Sequence, residues 1–373
     1  MMNFQTLLQR LTQFIQPHRA QQLAKEHGWC KRRGKIPAFE FLLSAIGQGS
    51  ALQLTLNAQA SALSQTVTRQ AIDQRYNPAA VRFFEAAFRE SLATSLTWKT
   101  DSVMVRLLQQ RFAAVRVFDS THCACAEALA HIFPGCGGGG GPAGLKVLLS
   151  YEYGEGQLHP LAVLPANCSD QGLADQAAQQ VGPEELGLFD KGFYKAQSLQ
   201  AIQERGGYFL LPWPHGVSVW ERDAAGQRNP EPLDVAAYLK ASTESCLEWS
   251  AVELGQTPSS RLGPLRLVAY RLPQENANRR CAQLREKYRT KGRLPSAVAL
   301  ELAGWLILLT NAPAALLPRT ALSYLYRVRW QIELVFKQWK SVLRLDVLPS
   351  QNECRVQCEV WARLLNALLT FVW

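Results

Sequence analysis

The sequence predicts an α/β protein in which an all-α N-terminal region precedes a mixed body of strands and helices. Three observations predict it. Apolar residues recur at three-and-four spacing through roughly the first hundred positions, the period shortens to two near residue 113, and short alternating strands dominate from about 206 to 311 before helix resumes near 320. At 373 residues and 47% hydrophobic content, the chain is long enough for two or three domains with a sizeable core, and too apolar to be largely disordered.

The elements follow in order. "FQTLLQRLTQFI", "PAFEFLLSAI", "TVTRQAIDQRY" and "PAAVRFFEAAFRESLA" read as helices separated by Gly, Pro or polar breaks. Thr68 caps the third of these, a short helix that presents Arg69, Gln70, Asp73 and Arg75, residue types suited to base edges and phosphates; a plain bundle helix is the other reading. "AAVRVFDST" is a strand that ends at Asp119, and "LKVLLSYEY", "GEGQ" and "LHPLAVLPA" form a β-hairpin beside it. "SDQGLADQAAQQV" is a helix in which Asp170 suits the cap, and "LGLFDKGF" is a short strand that ends at Asp190. The strands "GGYFLLPWP", "GVSVWER", "CLEWSAVEL", "LRLVAYRLP" and "GWLILLTN" come next, with one charged helix, "ANRRCAQLREKYRTK", among them. Helix then runs from about 320 to 341, breaks near Pro349, and resumes in "VQCEVWARLLNALLTFVW". The run "GCGGGGGPAGLK" is no phosphate loop, because Lys146 opens a strand and no Gly-Lys-Ser/Thr opens a helix.

Charge and cysteine usage narrow the class. A formal charge of +10 favours a polyanionic partner, with double-stranded DNA the first candidate. The N-terminus lacks a signal-peptide pattern, and no window holds 18 apolar residues, which predicts no membrane association and a cytoplasmic, nucleoid-associated protein. Nine scattered cysteines fit reduced thiols, and neither Cys123/Cys125 nor Cys354/Cys358 has the second pair that a zinc site requires.

The chemistry concentrates on the 320–341 helix. Leu325, Val328, Ile332, Val335 and Trp339 form an apolar stripe, and Tyr326, Arg329, Glu333, Lys337 and Lys340 form a second stripe about 100° around the helix. Glu333 therefore stands at the margin of the buried face. Taken alone it reads as one arm of i,i+4 salt bridges to Arg329 and Lys337. Taken with Asp119 and Asp190 it completes a set of hard oxygen ligands suited to Mg²⁺, and two such ions clamp the attacking and leaving oxygens of an in-line phosphoryl displacement. The neighbouring cations then suit DNA phosphates.

"FDST" at 118–121, "FDKGFY" at 189–194 and the spacing Tyr326-x2-Arg329-x3-Glu333-x6-Lys340 resemble the bacterial insertion-sequence transposases of family four, of the DDE type with a Tyr-Arg-Glu-Lys signature. The resemblance covers most of the chain. It implies an RNase H-like catalytic core at 105–200 and 312–373, a β-rich insertion domain at 201–311, and a helical DNA-binding region at 1–104. It implies that Asp119, Asp190 and Glu333 are catalytic and hold Mg²⁺ or Mn²⁺, two ions in all. Tyr326, Arg329 and Lys340 would contact DNA near the cleaved end; apart from the resemblance, Lys337 among the cations around Glu333, and Arg69 and Arg75 on the Thr68-capped helix, are further candidates for DNA contact by residue type. Trp305 would stack on a flipped base, in competition with Trp213 and Trp220. The activity implied is cleavage at inverted-repeat ends followed by strand transfer into target DNA, by a homodimer in the active complex. Lys191 stands where relatives often carry Arg, and the chain stops at Trp373 inside an apolar helix where relatives continue. Two alternatives stay open: a metal-dependent nuclease without strand transfer, and a truncated inactive copy that only binds DNA.

Overall fold

The structure is a computed structural model that describes residues 4–32, 34–48, 55–94, 108, 110–137, 141–154, 157–327, 329, 333 and 347–371. The chain opens with helices α1 (Phe4–Phe14), α2 (Pro17–Glu26), α3 (Ala38–Gln48), α4 (Leu56–Ser61), α5 (Arg69–Asp73) and α6 (Pro78–Thr94). Strands β1 (Val115–Cys125), β2 (Gly144–Glu152) and β3 (Gln157–Pro165) lead to α7 (Asp170–Gln179), β4 (Leu186–Leu188), α8 (Ala196–Glu204), β5 (Tyr208–Pro212) and β6 (Val219–Glu221). There follow α9 (Val235–Ala241), β7 (Cys246–Leu254), β8 (Leu262–Arg271), α10 (Gln274–Arg289), α11 (Ala297–Ala303) and β9 (Trp305–Thr310). A helix over 319–327, α12, has Arg329 and Glu333 also helical beyond it. Strand β10 (Val347–Leu348) and α13 (Glu353–Phe371) come last.

These elements form two compact units, each drawn from separated stretches: Met1–Asp101, Asp119–Ser169 and Ile332–Trp373 in one, Ser102–Phe118 and Asp170–Gln331 in the other. In the first unit, α1, α3 and α6 pack on α13. Thr55 and Thr68 cap α4 and α5 by accepting the N–H of Ala58 and Ala71, each at 3.2 Å, so that an orphan donor at each helix start is satisfied. The core here is aromatic: Trp29 stacks on Phe41 at 5.0 Å, Phe84 meets Phe41 edge-on at 5.7 Å, and Phe88 lies 5.7 Å from Trp361 of α13. The same unit holds the antiparallel hairpin β2/β3, with a register shift between Leu148 and Leu149, and the parallel pairing of β1 with β10 at Ala124↔Val347.

The second unit is built on a sheet in the order β1-β4-β5-β9-β8-β7-β6. Its first three strands are parallel, with Val117↔Leu188 and Leu188↔Leu210 in register, and the rest are antiparallel. Because β4 and β5 are covered on both faces, they read as unbroken apolar runs rather than alternation. Strand β1 contributes Val115–Phe118 to this unit and its remaining residues to the other.

Two expectations need correction. Strand β1 does not end at Asp119 but continues to Cys125, because its second half finds a partner in β10. Helices α2, α4, α8, α9 and α11 and strand β10 lie where no element was expected, most of them too short for a full periodic signal. All nine cysteines are free thiols, and among the described residues no helix is long and apolar enough to cross a membrane.

Candidate active site

In the second unit, the short strand β4 delivers Asp190. Gly187 makes this possible: a Cβ there would meet the Phe189 ring at 2.5 Å, so the missing side chain lets that ring lie back over the strand. Phe189 then stacks on Phe118 at 4.8 Å with the planes 6° apart, both rings buried. Asp119 and Asp190 are the residues that follow these two phenylalanines in the chain. After Asp190 the backbone enters a tight turn, Lys191–Phe193, with Tyr194 N–H donating to the Lys191 carbonyl at 3.2 Å. Gly192 in that turn accepts close contact from Asp170 at the start of α7, whose Oδ2 would lie 3.0 Å from an added Cβ. Asp170 thus buttresses the turn that carries Asp190.

The Asp190 carboxylate is 43% exposed and lies 3.9 Å from the guanidinium of Arg329, a side chain only 7% exposed. Arg329 in turn sits 5.5 Å from the ring centre of Tyr326. Of the predicted site residues, the structure therefore brings Asp190, Arg329 and Tyr326 together. The guanidinium faces an aspartate, a contact that the reading of Arg329 as an arm of a helix-surface salt bridge did not include. Such an arrangement can receive a phosphate, since Arg329 neutralises charge beside an open carboxylate.

Asp119 and Glu333 belong to the first unit. Asp119 is half-buried within β1, and its Oδ1 accepts the Ser120 N–H at 2.8 Å. Glu333 is helical and half-buried, as a position at the margin of an apolar stripe should be. Among the described residues no three His, Cys, Asp or Glu side chains are gathered at metal-holding distance. Asp119, Asp190 and Glu333 nonetheless offer the hard carboxylate oxygens that Mg²⁺ and Mn²⁺ prefer, and Asp190 is open to solvent. Lys337 and Lys340 lie outside the described residues.

The remaining candidates are placed as follows. Arg69 is exposed on α5, as a reading residue needs to be, and Arg75 is half-buried with its guanidinium 5.4 Å from the Trp29 ring centre. Trp305 is 2% exposed, and the Arg271 guanidinium covers its ring at 4.3 Å. Trp213 and Trp220 are buried as well, the latter under Arg228 at 3.4 Å. Base stacking on Trp305 would require Arg271 to leave the ring. Sequence reasoning missed the paired phenylalanines, Gly187 and Gly192, although the repeated Phe-Asp of "VFDS" and "LFDK" signals the first of these.

The model of a family described as "Transposase DDE domain" matches residues 110–369. The chain is 25% identical over 380 residues to the transposase for insertion sequence element IS231F of Bacillus thuringiensis subsp. israelensis, covering 98% of this chain and 79% of that protein. It is 24% identical over 365 residues to the transposase for insertion sequence element IS1151 of Clostridium perfringens, covering 93% and 76%. A putative transposase, InsL for insertion sequence element IS186A of Escherichia coli (strain K12), is 37% identical over 234 residues, 62% of this chain and 61% of that protein.

Proposed function

This chain belongs to the transposase DDE domain family, and on that premise we propose that Asp119, Asp190 and Glu333 are the acids with which an insertion-sequence transposase holds its divalent metal ions. The chain is an enzyme that acts on DNA. The observation that carries the assignment of residues is the Phe118/Phe189 stack, which fixes the backbone immediately before each aspartate. Bound Mg²⁺ or Mn²⁺, two ions in the complete site, supplies charge neutralisation and a polarised oxygen at the phosphate. The chain's own residues do the rest. Asp190 presents an open carboxylate, Asp170 and Gly192 hold its turn, and Arg329 is poised to meet a phosphate oxygen delivered beside Asp190. Tyr326, packed near Arg329, extends that grip, and Lys340, which shares its spacing in the sequence, is assigned to DNA as well.

An RNase H-like core at 105–200 and 312–373 is supported by the hairpin β2/β3 followed by parallel β1, β4 and β5, with α7 and α8 as the helices that follow β3 and β4. The β-rich segment 201–311 is read as the insertion domain, residues 1–104 as the helical region that binds DNA through α5, and the active species as a homodimer.

The test is cleavage and joining of a duplex that carries the element's ends, with Mg²⁺ and a target plasmid. Asp119→Ala, Asp190→Ala and Glu333→Ala each lower cleavage by about 100-fold or more, because a metal clamp is worth several kcal/mol in the transition state, and each leaves end binding intact. Undiminished cleavage in any one of them removes that residue from the assignment. Cleavage without joined products would favour the nuclease reading.

A further inference from the structure

One charged stretch of the second unit takes no part in the site described above. From Gln274 to Arg293, helix α10 and the turn after it, seven of twenty residues are Arg or Lys and two are Glu. That excess of five positive charges is half of the chain's formal +10. The helix lies on its unit by one narrow stripe: Ala277, Cys281, Leu284 and Tyr288, spaced by four, three and four, are half-buried, whereas every Arg and Lys of the stretch is exposed. Cys281 donates from Sγ to the Leu300 carbonyl of α11 at 3.5 Å, and Arg280 from Nη1 to the Trp305 carbonyl of β9 at 3.1 Å, which holds that stripe inward. The chain leaves the helix through Gly292, at φ 64°, with the N–H groups of Gly292 and Arg293 donating to the Arg289 and Tyr288 carbonyls, each at 3.0 Å. Lys291 and Arg293 are thereby carried on a hydrogen-bonded turn.

Helix stability does not account for this charge. A solvated helix gains support from opposite signs at i,i+4, and one or two cations in the last turn answer the macrodipole. Here Arg285 and Arg289 are like charges at i,i+4, an arrangement that costs a few tenths of a kcal/mol. Elsewhere arginines are neutralised: Arg116 pairs with Glu185 at 2.8 Å, Arg266 with Glu248 at 2.7 Å, and Arg222 and Arg228 with Glu253 at 2.9 and 3.0 Å. On α10, Arg289 pairs with Glu286 at 2.7 Å, but among the described residues no carboxylate pairs with Arg285, Lys287, Lys291 or Arg293. Cations that are exposed, unneutralised and spread along a fixed helix suit a repeating polyanion better than one small anion, which needs them to converge.

We propose that α10 and the turn after it form a surface for the backbone of duplex DNA, in which Arg285, Lys287, Lys291 and Arg293 each meet a phosphate. The inference rests on the reading of DNA as the substrate, and is independent of which acids hold metal and of the role given to α5. The arginines supply planar forks that match phosphate oxygens and the lysines compact, mobile charge. Contacts of this kind fix position on the duplex without reading its sequence. The β-rich segment thereby gains a task of its own, that of holding the DNA.

The experiment measures binding of the full chain to a duplex oligonucleotide that carries the element's end, in chelator so that no cleavage occurs, across a range of chloride concentrations. Each phosphate contact contributes about 0.9 to the slope of log affinity against log salt. The quadruple variant Arg285→Gln/Lys287→Gln/Lys291→Gln/Arg293→Gln is expected to flatten that slope by about 3.6, while Lys240→Gln, an exposed lysine on α9, leaves it unchanged. Glu286→Gln releases Arg289 to the same surface and is expected to steepen the slope by about 0.9, a change that loss of folding could not imitate. A parental slope in the quadruple variant overturns the proposal. So does a slope that Lys240→Gln flattens as much per charge, which would reduce α10 to a share of the general field. Parental DNA binding with self-association lost, read by sedimentation, would give the surface to a second copy of the chain and overturn it as well. A wrong metal assignment would surface instead as retained cleavage in an acid variant with these slopes intact.

Discussion

At the scale of single residues, the site depends on what is missing as much as on what is present. Gly187 leaves room for the Phe189 ring, and Phe189 sets the position from which Asp190 departs. Gly187→Ala places a methyl group 2.5 Å from that ring, within a packed region with no slack. It is expected to lower stability by about 1–3 kcal/mol, read as a fall in melting temperature, and to reduce cleavage more than DNA binding. A variant that melts like the parent would show that the ring can move at little cost. The sequence singled out the acids through the combination of two Asp residues at expected strand ends with Glu333 and through the family resemblance, since Glu333 among cations alone reads as an ordinary salt bridge, and it singled out Arg329 through helical spacing. It could not reveal that Arg329 faces Asp190, since that contact joins residues far apart in the chain.

At the scale of elements, periodicity identified most strands and the long helices. It misjudged β1, whose continuation is decided by a two-residue partner more than two hundred positions away. It also read α13 as a simple apolar helix, whereas that helix buries Glu359, Arg363 and Asn366 among its hydrophobic residues. Asn366 donates to the Ile46 carbonyl at 3.1 Å, and Arg355 lies 3.4 Å from Glu359 and 3.9 Å from Asp73 of α5. Burial raises the Glu359 pKa above its usual 4.5, against the opposing pull of Arg363 and Arg355. The folded state therefore binds this proton more tightly than the unfolded state does, and stability associated with Glu359 increases as pH falls from neutrality toward the ordinary carboxyl range. Against Glu359→Gln, which has no such proton, the parent's melting temperature should improve over that interval. A parent that loses ground instead would mean that the two arginines outweigh burial.

At the scale of the whole molecule, a net charge of +10 gives the chain a general attraction for DNA that does not depend on metal. Chelation is accordingly expected to abolish cleavage while leaving binding to end DNA within about twofold, measured by gel shift at fixed salt; metal-dependent binding would place the ions in recognition as well. The two Phe-Asp motifs and the Tyr-Arg-Glu-Lys spacing, through the family they resemble, pointed to the class of enzyme, but not to the way distant stretches are combined, because that is fixed by contacts with no local signature. The first unit takes its helices from the beginning of the chain and their packing partner, α13, from residues 353–371. This has a consequence for biosynthesis. At about 5–20 residues per second, the ribosome needs roughly 15 to 60 s after making Ile46 before Asn366 exists to receive it, and longer still before both have left the exit tunnel. Through that interval the faces of α3 and α6 that meet α13 have no mate, so the newborn chain is open to chaperones and proteases until α13 has been made.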